Sequence, residues 1–156
     1  MNIRVGQGFD SHALVAGLPM YMGGVQVPHH SGAKGHSDGD CLLHALTDAL
    51  LGALGLGDIG GWFADTDPRW RGMRSAEFLK RVMQDPGTPR FRVINADMTV
   101  FLNEPKLKPH KAAIEESVAG MLGVDAALIN VKAKTWEGFQ VQSVISASVV
   151  VLVELE

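Results

Sequence analysis

The stretch Gly35-His36-Ser37-Asp38-Gly39-Asp40-Cys41-Leu42-Leu43-His44 decides how the chain is read. It packs two histidines, two aspartates, a serine and a cysteine into the positions after Gly35, then runs into an apolar segment. Ser37, Asp38 and Asp40 can each offer a side-chain oxygen to the unpaired N–H groups of a first helical turn, so the stretch reads as a helix start. Leu42, Leu43, Ala45, Leu46, Ala49, Leu50, Ala53 and Leu54 then recur at helical spacing, which predicts a helix over about 38–55. His44 falls one turn inside it. The free N–H groups and dipole of the helix start favour an anion. The combination points to one site for a metal and a phosphate together.

Upstream, Ile3 and Val5 alternate with polar neighbours, which predicts a strand over residues 2–12. Gly6 and Gly8 leave room there for another backbone. If the strand persists through Phe9-Asp10-Ser11-His12, Asp10 and His12 point to the same face and can share one ion. Residues 13–35 are rich in Gly and Pro. Met20-Tyr21-Met22, Gly23-Gly24 and Val25-Gln26-Val27 read as a small hairpin, and His29, His30 and Ser31 as loop.

Downstream, Gly55 to Gly61 is a turn and Phe63-Ala64-Asp65-Thr66-Asp67-Pro68 a polar loop. Arg74–Gln84 has helical spacing, Phe91–Leu102 is strand-like, and Pro109 fits the first turn of a helix over about 110–122 that closes at Gly123. Ile129–Thr135 and Val141–Glu154 are Val-rich and read as central strands. The order of strand, hairpin, two helices, strand, helix, strand, strand predicts an α+β fold, a mixed sheet with helices layered on one face.

A chain of 156 residues fits one domain, 1–156, with a sizeable core. The net charge of −3 gives no support to nucleic acid as a main partner. A phosphate ester would have to be met locally, by metals, helix ends and a few Lys or Arg. Cys41 is the one cysteine, so no internal disulfide can form and a reducing compartment is expected. The sequence goes from Met1 straight into strand pattern, without an apolar signal segment. The longest apolar stretch, Val144–Val153, is too short to span a bilayer.

The residues leave the metal ligands open. Asp10, His12 and His44 form an Asp-His-His set with a fourth position free, as a catalytic zinc requires. Cys41 and His44 (i, i+3) or Asp40 and His44 (i, i+4) are alternatives that spacing cannot separate. His36 and Ser37, just before the helix, can orient a phosphate. Asp58 and Asp65 lie in Gly-containing turns. Glu137, at the end of Lys132-Ala133-Lys134-Thr135-Trp136-Glu137-Gly138, can hold a hard cation such as Mg²⁺.

These pieces, in this order, resemble the 2-C-methyl-D-erythritol 2,4-cyclodiphosphate synthases of the non-mevalonate isoprenoid pathway. The matching stretches are residues 4–12, Gly23-Gly24-Val25, His36-Ser37-Asp38-Gly39-Asp40, residues 44–53, Leu56-Gly57-Asp58-Ile59-Gly60, residues 63–68, Pro105-Lys106, Pro109-His110 and residues 130–135. The blocks at 36–40 and 63–68 carry the most specificity. The resemblance implies a homotrimer, its sheets facing the threefold axis and its active sites between subunits. It implies zinc on Asp10, His12 and His44, and Mg²⁺ or Mn²⁺ on Glu137 with the substrate diphosphate. His36, Ser37 and Thr135 match catalytic positions. Asp58 matches the methylerythritol end of the substrate and Asp65 the loop that closes over it, Gly60 and Phe63 match substrate-binding positions, and Lys106, Leu107 and Thr135 match the cytidine diphosphate end.

The implied reaction converts 4-diphosphocytidyl-2-C-methyl-D-erythritol 2-phosphate to the cyclic diphosphate with release of CMP, in the cytoplasm or a plastid-like compartment, with no nucleic acid or membrane partner. A zinc phosphohydrolase and a non-catalytic trimeric binding module are the alternatives. Two departures stand out. Trp136 replaces the small polar residue usual before the glutamate. Gly138-Phe139-Gln140-Val141-Gln142-Ser143-Val144-Ile145 replaces a longer segment whose arginine can hold an isoprenoid diphosphate on the trimer axis.

Overall fold

A computed structural model describes residues 2–138 and 143–156. Half of the substituted segment after Glu137, residues 139–142, lies outside the described residues, as does the start of the strand expected over 141–154.

The sheet is mixed and five-stranded, with helices packed on one face, as the order of elements predicts. Strands β1 (Ile3–Ala16), β2 (Met20–Met22), β3 (Val25–Val27) and β4 (Ser31–Ala33) precede the long helix α1 (Cys41–Leu54). A single turn α2 (Ile59–Trp62), helix α3 (Ser75–Gln84), strand β5 (Phe91–Phe101), helix α4 (Lys111–Leu122) and strands β6 (Ile129–Lys134) and β7 (Val144–Leu155) follow. The strand order is β4-β1-β7-β5-β6, and β2 and β3 form a separate hairpin. Only β5 and β6 run parallel, joined through the crossover that contains α4.

Two expectations are corrected. β6 is an edge strand; of the two Val-rich segments only β7 is central. β1 does not stop at His12. It continues to Ala16 because β4 pairs with Leu14–Ala16. That three-residue strand has no alternation of its own, and the long-range partner creates it.

α1 is the centre of the core. It is buried nearly all round, from Cys41 and Leu42 to Leu51 and Ala53, as an apolar helix inside a protein must be. Asp40 is its N-cap, accepting from the Leu43 N–H at 3.0 Å, and Gly55 ends it in the left-handed conformation at φ 70°. Only His44, Asp48 and Gly52, one turn apart, break the apolar surface toward the outside.

The helix lies directly on β1 because β1 carries Gly6 and Gly8 where it crosses. A Cβ on Gly6 would sit 1.8 Å from the Ala49 carbonyl oxygen, and one on Gly8 1.9 Å from that of Ala45. The far side of the contact is set by small residues too, Ala45, Ala49 and Ala53. This contact fixes the distance between Asp10 and His12 on the strand and His44 on the helix.

The β2–β3 hairpin turns through Gly23 and Gly24, at φ 59° and 81°, as a two-residue turn with both φ positive demands. Their N–H groups donate to the two carboxylate oxygens of Asp40 at 3.0 and 2.7 Å. One fully buried carboxylate thus holds the hairpin and the helix start together. Burial pushes its pKa up, against the three N–H donors that favour the ionised form.

On the sheet face away from α1, Val5 is 66 % exposed, Phe9 58 % and Val150 44 %. Among the described residues no helix is long and apolar enough to cross a membrane.

Candidate metal and phosphate site

Asp10 and His12 extend from the same face of β1, toward His44 on α1. His12 Nε2 lies 2.7 Å from Asp10 Oδ2, His44 Nδ1 lies 3.2 Å from the same oxygen, and the two ring nitrogens are 3.3 Å apart. Ligands at zinc bond lengths in a tetrahedron would stand about 3.3–3.4 Å apart, so the two longer edges already have the spacing one ion requires. The triad could hold a metal. Two imidazoles and one carboxylate favour zinc over magnesium.

The other candidates are occupied elsewhere. The Cys41 thiol is buried and donates to the Asp10 carbonyl oxygen at 3.1 Å; burial first, then the Asp10 and Asp40 charges, push its pKa well up, against ligation as a thiolate. Asp40 accepts three backbone N–H groups.

The ring nitrogens not needed for a metal also have partners. His12 Nδ1 is 2.9 Å from the Lys34 carbonyl oxygen, which can only accept, so Nδ1 carries the proton and Nε2 is the ligand atom. His44 Nε2 lies 3.0 Å from Ser37 Oγ and 2.9 Å from Ser75 Oγ. Burial works to raise the Asp10 pKa, but hydrogen bonds to His12 and His44 and their charge hold it at about 2. The hydrogen bond to Asp10 raises His12 against its own desolvation. The Asp10 carboxylate thus draws both imidazoles together by hydrogen bonds and charge.

A cavity of about 540 Å³ opens over the triad. His36, Ser37, Gly60, Phe63 and Asp65 line it with Asp10, His12 and His44, so eight of the residues singled out from sequence meet in one place. Asp58 is at its edge as the N-cap of α2, accepting from the Gly61 N–H at 2.8 Å. Asp48, on the open stripe of α1, accepts from the Ile59 N–H at 2.9 Å and anchors the same turn.

Sequence reading missed Lys34, Asp67, Trp70, Arg71 and Phe78 in the lining. Lys34 and Arg71 give the cavity its two cationic side chains. Trp70 is fixed edge-on to Phe63, their ring centroids 5.2 Å apart, with Arg69 and Arg81 over its faces. The aromatic content of the polar loop was the available signal.

Lys106, Leu107, Thr135 and Glu137 are not in this cavity. Thr135 Oγ1 donates to Glu137 Oε1 at 2.5 Å, the Trp136 N–H donates to Asn103 Oδ1 at 3.0 Å, and the Trp136 ring packs on Phe101. Leu107 is 3 % exposed, which leaves its backbone rather than its side chain for a ligand. Register places this cluster at the same level of the sheet as the triad: Ser11 pairs with Ser146, Ser146 with Phe101, and Phe101 with Lys134. Three strand spacings separate β1 from β6, about 14 Å.

The chain is similar to known proteins over nearly its whole length. The 2-C-methyl-D-erythritol 2,4-cyclodiphosphate synthase of Koribacter versatilis is 49% identical over 152 residues, 97% of this chain and 98% of that protein. A solved structure of a synthase of the same name, in a CDP-bound form, superposes with a TM-score of 0.87 at 44% identity, covering 97% of this chain and all of the other. The bifunctional IspDF of Campylobacter jejuni gives a TM-score of 0.93 at 39% identity; 99% of this chain matches 43% of that one. The YgbB family model matches residues 3–154. The chain therefore belongs to the YgbB family, alongside the cyclodiphosphate synthases it resembles over nearly its whole length.

Proposed function

We propose that the chain converts 4-diphosphocytidyl-2-C-methyl-D-erythritol 2-phosphate to 2-C-methyl-D-erythritol 2,4-cyclodiphosphate and CMP. The observation that carries this reading is the meeting of the Asp10–His12–His44 triad and His36–Ser37 in one cavity lined by Lys34 and Arg71. An oxygen of the 2-phosphate bonds to the β-phosphorus, and the bond from that phosphorus to the CMP oxygen breaks. Such transfer needs positioning and charge neutralisation more than a covalent nucleophile. No general base is required, because the attacking phosphate is already an anion.

In this reading His36 and Ser37 hold the 2-phosphate, while Gly60, Phe63, Asp58 and Asp65 take the methylerythritol carbons and hydroxyls. Lys106, the backbone at Leu107 and Thr135 take the cytidine diphosphate end. Zinc at the triad and Mg²⁺ or Mn²⁺ at Glu137 would supply Lewis-acid neutralisation of the phosphoryl oxygens.

The roughly 14 Å between β1 and β6 is long for one diphosphate to bridge within a chain. A homotrimer, in which Thr135–Glu137 of one subunit faces the triad of another, accounts for both half-sites. The apolar surface at Val5, Phe9 and Val150 supports the same assembly, since a patch of this kind marks an interface. Incubation with the substrate, zinc and magnesium, followed by chromatography, tests the function. CMP without inorganic phosphate is the expected outcome. Inorganic phosphate would indicate a phosphohydrolase, and unchanged substrate a binding protein.

A further inference from the structure

We infer that Ser75 and Asp38 form the outer shell of the metal centre, as positioning residues that fix His44 with its proton on Nε2 and couple the centre to the loop over the cavity. The inference rests on reading Asp10, His12 and His44 as metal ligands. It starts from the hydroxyl of Ser75, the first residue of α3, which is fully buried.

A serine hydroxyl has one proton to give. Ser75 Oγ makes a short hydrogen bond to Asp38 Oδ1, and the Ser75 N–H donates to Asp38 Oδ2 at 3.2 Å. A carboxylate only accepts, so the hydroxyl proton is committed to Asp38. Toward His44 Nε2, 2.9 Å away, Ser75 Oγ can then only accept. With a metal on Nδ1, the ring proton lies on Nε2 and goes to Ser75 Oγ; Nδ1 itself stands 3.2 Å from the Asp10 carboxylate and 3.3 Å from His12 Nε2. A carboxylate reached through a hydroxyl thus orients the ring, as outer-shell partners of metal-binding histidines do.

The same arrangement frees Ser37. Its Oγ is 3.0 Å from His44 Nε2 and accepts the Gly39 N–H at 3.3 Å. With Nε2 as donor, the Ser37 hydroxyl proton can go to Ser75 Oγ, 3.4 Å away, or to a ligand oxygen in the cavity.

Asp38 was one of three oxygens able to cap α1. It instead caps α3, for which Arg74 provides no side-chain cap. The loop between Phe63 and Ser75, carrying Asp65, Asp67, Trp70 and Arg71 into the cavity, is therefore tied at its end to the segment beside the metal ligands. A second tie, from the Gly72 N–H to the His36 carbonyl oxygen at 2.7 Å, lies next to it. Contacts at the loop and metal occupancy share these hydrogen bonds.

Two measurements test the proposal. Zinc affinity, by competition with a chromophoric chelator, should fall at least about tenfold in Ser75→Ala. Parental affinity in a folded Ser75→Ala protein would overturn the outer-shell role. Failure of the parent itself to bind zinc would instead remove the metal reading on which the proposal rests. Independently of any variant, nitrogen chemical shifts of isotopically labelled histidine in the zinc-loaded parent report which ring nitrogen of His44 carries the proton. Protonated Nε2 and metal-bound Nδ1 on His44 are expected, and the reverse assignment would refute the hydrogen-bond chain.

Discussion

A single methyl group on Gly8 should damage the metal centre without touching it. The Cβ of Gly8→Ala would lie 1.9 Å from the Ala45 carbonyl oxygen and 2.7 Å from the Ala49 nitrogen, both backbone atoms of α1. Ordinary contact begins at 3.4 Å, so α1 must retreat from β1 by about 1.5 Å at this point. His44 rides on that helix one residue before Ala45, and Asp10 is on the strand two residues after Gly8. The 3.2 and 3.3 Å edges of the triad would widen by more than one ångström, past the reach of one ion. Overpacking of this kind costs about 1–3 kcal/mol of stability. Displacement by an ångström in a positioned site lowers activity on the order of a hundredfold. Denaturant unfolding and turnover on the same preparation give both numbers, and zinc competition reports on the centre itself. A Gly8→Ala protein with parental stability and parental zinc affinity would refute the claim that the strand–helix contact sets the centre.

Zinc affinity should fall as pH drops through the raised pKa of His12, by roughly tenfold per unit for the one proton displaced from Nε2, and calorimetry in buffers of different ionisation enthalpy should detect that proton. Pairing with Asp10 puts the turning point above 6.5, so affinity independent of pH through that range would contradict the pair. Asp40→Ala leaves three backbone N–H groups without their acceptor and should cost about 3 kcal/mol, or roughly 6–12 °C in Tm, read by calorimetric melting. Glu137→Gln should lower turnover at saturating magnesium while leaving zinc content unchanged, since its ion stabilises charge that grows as CMP leaves; equal turnover would exclude Glu137. Light scattering at micromolar concentration should give three times the 16.7 kDa chain, about 50 kDa, and a monomer mass would contradict the shared site.

The parts of the fold legible in the sequence are those dictated locally. The apolar spacing after Asp40 announces α1, Gly55 and Gly123 mark helix ends by their positive φ, and Gly23-Gly24 marks the hairpin. Gly6 and Gly8 signalled a close backbone approach to β1, and the structure shows that the backbone is that of α1. Long-range partners were not legible. β4 exists because β1 is beside it, and β6 looks central by composition yet lies at the edge.

Within the site, residue type and spacing proposed Asp10, His12 and His44 but left Cys41 and Asp40 open. What separates them is burial and prior hydrogen bonding, which appear only in three dimensions. Asp38 illustrates the limit best. Its oxygens are as suited to capping as those of Asp40, yet besides the nearby Asp40 N–H it accepts one thirty-seven positions away, on Ser75. Arg71 and Lys34 gave no signal at all, since a lone cation in a loop is most often solvated.

The most direct test of the account follows the phosphorus atoms through one turnover by NMR, with the zinc-loaded protein, magnesium and the 2-phosphate substrate. The account predicts that the 2-phosphate signal disappears in step with the formation of CMP, and that two mutually coupled phosphorus signals of a cyclic diphosphate replace it. A growing signal of inorganic phosphate, or CMP formed while the 2-phosphate monoester persists, would contradict it.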